Sequence, residues 1–280
     1  MSDALPTTPK RWDLDQVVIP PSMRERARAL VRQRRAARDR ILDFSRDGAI
    51  PSGLIVVISG MSGTGKTTLA LALAAESGAQ PDVLRQATIV AEPTMFRRAY
   101  ERCVDEDIPL VLDGCTKLDA LFVDELVRVV SETGLFVLIT IDDPRQIADR
   151  LWSRVAAHFS LEVPSTTHRE QLWEAHLPLE IPLTDGIDIV QLASRFALTG
   201  AQVANAVAVS THYAAARNPS DIVLTMADLV AAAEEQASAR PRMLDAALYP
   251  NLTTAELLLP DDVRLRFDDL LSAAQHRSAI

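Results

Sequence analysis

Short apolar runs alternate with amphipathic stretches through the first part of the chain, and amphipathic stretches alone follow. Leu54–Ser59 is apolar nearly throughout and reads as a strand buried on both faces, with Gly65–Ser77 as the helix behind it. The pattern continues with a short strand over Ala87–Val90, a helix over Thr94–Glu106 and a strand over Leu110–Asp113. A helix over Leu118–Ser131 and a strand over Leu135–Ile141 come next. A further helix is expected from Pro144 to His158, and a last strand over Phe159–Val163. Alternation of this kind builds an α/β fold, a mostly parallel sheet with helices on both faces.

From Pro164 the pattern is helical only. Thr167–Glu170, Thr199–Gln202 and Thr225–Asp228 each place a hydroxyl three residues before a polar side chain, at or near a helix start. The first two have the capping-box spacing and residue types; Asp228 replaces the usual Glu or Gln. The chain therefore divides into a disordered N-terminus (1–11), a lead-in and basic helix (12–44), an α/β domain (45–164), a small all-α domain (165–240) and a tail (241–280). GAIPSG (48–53) reads as the turn before the first strand. Residues 14–31 and 254–271 align without gaps. Val17, Val18, Ile19 and Pro20 fall on Leu257, Leu258, Leu259 and Pro260, so the tail resembles the opening of a second module.

Charge and cysteine usage narrow the picture. The formal net charge of −9 argues against a general nucleic-acid binder. Between Arg24 and Arg40, however, eight arginines face only Glu25 and Asp39, a local +6. Such a run is a solvated helix face or a dock for an anionic partner. Cys103 and Cys115 offer neither a disulfide framework nor metal-ligand spacing. The apolar runs are too short to cross a bilayer, and the first residues contain no apolar signal core, so no membrane association and a cytoplasmic location are expected.

The candidate chemistry begins at the end of the first strand. Gly60-Met61-Ser62-Gly63-Thr64-Gly65-Lys66-Thr67 matches G-x-x-x-x-G-K-[ST] between an apolar strand and a helix, with Thr68 following. The glycines let backbone N–H groups turn inward around a phosphate, Lys66 reaches the outer phosphates, and the Thr67 hydroxyl ligates Mg2+. Asp113, ending a later strand, is the expected second metal partner. A nucleoside triphosphate and Mg2+ are the implied ligands.

Two families share these parts. A small P-loop kinase would use FVLITIDDPRQIADRLWSRV (136–155), a strand followed by a helix with spaced arginines. The chain also resembles AAA+ ATPases, in particular those associated with contractile, phage-tail-like injection systems, from about Trp12 to Gln236. The likeness rests on WDLDQVVIPP, GMSGTGKTT and HREQLWEAHLPLEIPLTDGIDIVQLASRFALTGAQVANAV (168–207). It implies an AAA+ sheet domain with a helical lid, ATP held by Gly60 to Thr68, and adenine enclosed by Val17–Pro20, including Val18, together with the lid. It also places Asp142 at the sensor position beside the γ-phosphate, where the family usually has Asn. Arg154 falls on the finger given to a neighbouring subunit, and Arg169 on a lid arginine. Implied partners are a second copy or a related AAA+ subunit, and a protein substrate or injection-system component.

The departures from that family are as informative. Gly114 stands where the family has the glutamate that activates water, and Ser153 where it often has a first arginine. Ile89-Val90-Ala91 has no pore-loop aromatic, and Ala204 replaces an arginine that injection-system relatives often carry. The expectation is an oligomeric ATP-binding module with weak or absent hydrolysis. An active ATPase using Asp142 or a partner's base, a small-molecule kinase, and an adaptor docking through its basic helix stand as alternatives.

Overall fold

The computed structural model describes residues 13–44, 53–116 and 118–238. The expected disordered N-terminus, Trp12, most of the GAIPSG turn and the tail repeat lie outside the described residues. In chain order the elements are α1 (Pro21–Phe44), β1 (Leu54–Gly60), α2 (Lys66–Glu76), β2 (Asp82–Arg85), α3 (Gln86–Ala91) and α4 (Thr94–Glu106). Then come β3 (Leu110–Cys115), α5 (Ala120–Thr133), β4 (Phe136–Ile141), α6 (Asp149–Trp152) and β5 (Val155–Leu161). The helices α7 (Thr166–His176), α8 (Ile189–Arg195), α9 (Gly200–Arg217) and α10 (Met226–Ser238) follow.

The five strands form one parallel sheet in the order β2-β3-β4-β1-β5. The central strands are buried on both faces, as their unbroken apolar runs require. Alternate residues feed two cores. Val56 and Ile58 of β1 and Phe136 and Leu138 of β4 pack with α1, α2 and the lead-in residues Leu14, Val17 and Ile19. Ile55, Val57, Val137 and Ile139 pack on the other face with α4 and α5. Because β4 lies between β1 and β3, the end of β4 stands between the glycine loop and Asp113.

Two expected elements are corrected. Ala87–Val90 is not a strand; it lies within α3, with only Ile89 buried, and the strand precedes it at Asp82–Arg85. This edge strand buries only Leu84, so its sequence carries no run to read. Nor does a helix span Pro144–His158. A 3-10 turn (Pro144–Gln146) and the four-residue α6 lead directly into β5, where Ala157, Phe159 and Leu161 alternate inward. The last strand thus starts at Val155, four residues before the expected Phe159.

The helical segment has its own apolar cluster around Trp173, Leu192, Val203 and Leu229. Its helix starts are largely those expected. Thr199 and Gln202 form a complete capping box on α9. Thr225 and Asp228 exchange the same reciprocal bonds, with the Thr225 N–H and hydroxyl donating to Asp228 at 3.0 and 2.7 Å. The α7 cap is Ser165, two residues ahead of Thr167, and the Thr167–Glu170 box does not form.

Asp228 gives this segment an acid-sensitive joint. Burial pushes its carboxyl upward, but hydrogen bonds from Arg217 and Thr225 outweigh that and hold it below its ordinary 3.8. The contribution is therefore complete above about pH 4 and is lost as pH falls through the lower, folded value. Asp228→Asn should cost about 1–2 kcal/mol at neutral pH and less in acid. Melting temperatures of both proteins from pH 7 to pH 2 check this.

The basic helix is anchored to the body of the protein. Arg24 donates to Val17 O (2.9 Å) and Leu14 O (3.3 Å), and Arg28 pairs with Asp15 at 2.6 Å. Arg35 caps the end of α2 through Glu76 O at 2.6 Å. Arg26 and Arg34 lie over the rings of Phe159 and Phe136. These five arginines make intramolecular contacts, which neither reading of the charge run anticipates. Among the described residues no helix is long and apolar enough to cross a membrane.

Candidate functional site

A concave site of about 1330 Å³ opens where the carboxyl ends of β1, β3 and β4 meet the helical segment. Its floor is the glycine loop. Gly60, Gly63 and Gly65 adopt φ of +149°, +81° and +96°. The first two are also places where no larger residue fits. A Cβ on Gly60 would lie 2.2 Å from Leu161 O, and one on Gly63 2.7 Å from Thr199 Oγ1. Ser62 through Thr68 line the cavity, while Met61 is partly exposed beside it. The Met61 carbonyl accepts from the Thr64 hydroxyl at 2.8 Å and so tightens the turn. Gly65 leads into α2 without a side-chain cap, so the first N–H groups of that helix open onto the loop. Backbone N–H groups at a positive helix end are the arrangement that receives a phosphate.

The loop's functional side chains converge from three strands. Lys66 Nζ donates to Gly60 O (2.9 Å) and Met61 O (3.0 Å) and pairs with Asp142 Oδ1 at 2.8 Å. Thr67 Oγ1 donates to Asp113 Oδ1 at 2.6 Å, placing the two expected metal ligands side by side. Thr140 completes the group, donating to the same Asp113 oxygen at 2.8 Å and accepting from the Gly114 N–H at 2.9 Å. Thr140 was not anticipated, although a lone polar residue in the apolar run Phe136–Ile141 was a readable signal. Among the described residues no cluster of three or more His, Cys, Asp or Glu could hold a metal by itself. A hard cation such as Mg2+ fits the Thr67–Asp113 pair because it takes few protein ligands and completes its shell with phosphate and water.

Gly114 differs from an ordinary strand residue in more than its missing side chain. Pairing shifts between Leu112↔Ile139 and Cys115↔Ile141, so β3 carries one extra residue there. Gly114 takes φ +68°, and a Cβ on it would meet nothing within 4 Å. The nearby acids are committed elsewhere. Asp119 caps α5, Glu125 pairs with Arg128, and Asp143 caps the 3-10 turn and pairs with Arg145, whose guanidinium lowers its pKa.

The walls come from both ends of the chain. Val18 and its neighbours in the lead-in line one side, held in place by Arg24. The α7 residues His168, Gln171 and Leu172, within the 168–207 segment expected as a lid, line the other. The α9 N-terminus closes on the loop itself, through Ala201 N–H donating to Gly63 O at 3.1 Å. Ala204 also faces the cavity.

Two expected site arginines lie apart from it. Arg154 is exposed on the turn before β5, does not line the cavity, and has no side-chain partner among the described residues. Arg169 is buried within the helical segment, donating to Ala193 O and Pro164 O at 2.7 Å each and to Thr166 Oγ1 at 3.1 Å. The helix expected over Pro144–His158 is reduced to α6, and of its arginines Arg145 folds onto Asp143 and Arg150 onto Asp124. Against known proteins, no family model matches this chain, and a search of curated proteins finds no significant match.

Proposed function

We propose that this chain is an ATP-binding AAA+ module that associates with copies of itself or with a related subunit, and that it hydrolyses ATP slowly or not at all. The observation that carries this reading is the convergence of Lys66, Thr67 and Asp113 at an uncapped helix start, with α9 bonded to Gly63 above it. Backbone N–H groups of the loop would hold the phosphates. Thr67 and Asp113 would hold Mg2+, which neutralises phosphate charge when bound. Val18 and the α7 face would enclose the base, so one ligand would touch both the sheet and the helical lid. ATP acts in this reading as a ligand that sets the lid angle.

Slow hydrolysis follows from the lack of a carboxylate on the residue after Asp113. Gly114 has none, and the Asp142 carboxylate is paired with Lys66. A positioned general base is worth about 10²–10⁴-fold. Exposed Arg154 is available to a γ-phosphate on a neighbouring subunit. A role in a contractile injection system, in assembly or on a protein component, rests on sequence resemblance alone.

The test is titration of the purified chain with Mg2+-ATP, with turnover measured in parallel. Wild type should bind saturably, and Lys66→Ala should weaken binding by about tenfold or more through loss of a charge-assisted contact. Wild-type turnover should stay at the Lys66→Ala background. Turnover well above that background would remove the slow-hydrolysis reading and identify Asp142 as the next residue to replace.

A further inference from the structure

Thr140 is the single polar residue of β4, and it is 1% exposed. Its register partner is Ile58 of β1, so it stands on the sheet face that packs against α2, the helix carrying Thr67. A buried hydroxyl has one proton to give and lone pairs to fill. The proton goes to Asp113 Oδ1 at 2.8 Å, and the Gly114 N–H donates to the hydroxyl oxygen at 2.9 Å. The extra residue in β3 leaves Asp113 and Gly114 without register partners on β4, and this one side chain bonds both.

We propose that Thr140 is a positioning residue for the metal: it fixes the Asp113 carboxylate and so sets how well the site holds Mg2+. The inference rests on the nucleotide-binding reading above. Two hydroxyls, those of Thr67 and Thr140, converge on Asp113 Oδ1. Holding one oxygen from two sides fixes the plane of the carboxylate and leaves the second oxygen for the cation or a water on it. The two hydroxyls are not equivalent. Thr67 is itself an expected metal ligand, whereas Thr140 stands on a central strand buried along its whole length and is the fixed point. Groups that orient a metal ligand are typically worth about 10–100-fold in metal affinity. Mg2+ demands near-octahedral geometry, while Ca2+ accepts irregular shells, so a loosened Asp113 costs Mg2+ more than Ca2+.

The experiment is binding of a β,γ-methylene ATP analogue to the full chain across titrations of Mg2+ and, separately, of Ca2+. It compares wild type, Thr140→Val and Thr140→Ser, with melting temperatures in parallel. Valine keeps the branched shape and removes the hydroxyl; Gly114 is exposed, so water can take its N–H. Thr140→Val should raise the Mg2+ concentration needed for half-maximal binding by about tenfold or more, and the Ca2+ concentration by less. Thr140→Ser retains the hydroxyl and should keep the wild-type Mg2+ requirement. A merely structural role would weaken binding alike with either ion. An unchanged Mg2+ requirement in Thr140→Val, an equal loss for both ions, or a tenfold loss in Thr140→Ser overturns the inference and leaves the nucleotide pocket standing. Wild-type binding that ignores both ions does the same. If wild type does not bind the analogue at all, the pocket reading fails and takes this inference with it.

Discussion

Gly63→Ala is expected to lower nucleotide affinity by about a hundredfold or more and to detach α9 from the loop. Two costs add at this position. The backbone sits at φ +81°, which costs an L-residue about 1–2 kcal/mol. The new methyl would also lie 2.7 Å from Thr199 Oγ1 and 3.0 Å from the Ala201 methyl. Thr199 cannot easily yield, because it forms the cap that holds Gln202 and the first turn of α9. Relief must come from the loop or from the helix, and either movement breaks the Ala201–Gly63 hydrogen bond. Gly186→Ala is the control: it too has positive φ (+90°), but nothing lies within 4 Å of its added carbon. It should lose a little stability and bind nucleotide normally. Titration and limited proteolysis of both variants decide the matter. Normal binding by Gly63→Ala would show that contact between loop and helix does not shape the site.

Arg169→Met should destabilise the chain by about 2–4 kcal/mol and lower its melting temperature by roughly 5–15 °C. The guanidinium is buried without a carboxylate, and its value lies in the carbonyls it satisfies. Ala193 O belongs to the last turn of α8, where helical carbonyls have no partner within the helix. Pro164 O belongs to the link between β5 and α7, so one side chain ties that link to α8. Methionine fills much of the volume but leaves both oxygens orphaned. Arg169→Lys should fall between the two, since a single ammonium cannot span three acceptors as a planar fork does. Thermal melts with proteolysis across residues 162–166 check both effects. An unchanged melting temperature would sink the account.

The parts legible in the sequence are those whose requirements are local. The glycine loop could be read position by position because its backbone needs positive φ and its lysine a fixed offset. Strands β1 and β4 were legible because burial on both faces leaves an unbroken apolar run. The two edge strands were misplaced for the opposite reason. Asp82–Arg85 is half charged, and Val155–Leu161 begins inside a stretch whose alanines and tryptophan also suit a helix. In the site, Thr67 and Asp113 were paired in advance, 46 residues apart, and they do meet. Arg24 and Thr140 were not, since a bond from a side chain to a backbone oxygen or to a residue of another strand leaves no spacing in the sequence to read. Arg169 shows the converse: spacing along the chain matched a family position, while the side chain is engaged in holding its own segment together.

The extra residue in β3 bears on whether the site could acquire a second acid beside Asp113 by small steps. A glutamate introduced at position 114 would inherit the left-handed backbone, so its carboxylate would leave the strand along a different direction from one on a flat strand. Removing the extra residue alone would flatten the strand and keep Cys115 opposite Ile141, but it would leave one residue where Asp113 and Gly114 now stand, with no place for a second acid. Neither change alone therefore sets a carboxylate on a flat strand next to Asp113. In this respect position 114 is not a vacancy that one substitution fills but part of a differently shaped strand end.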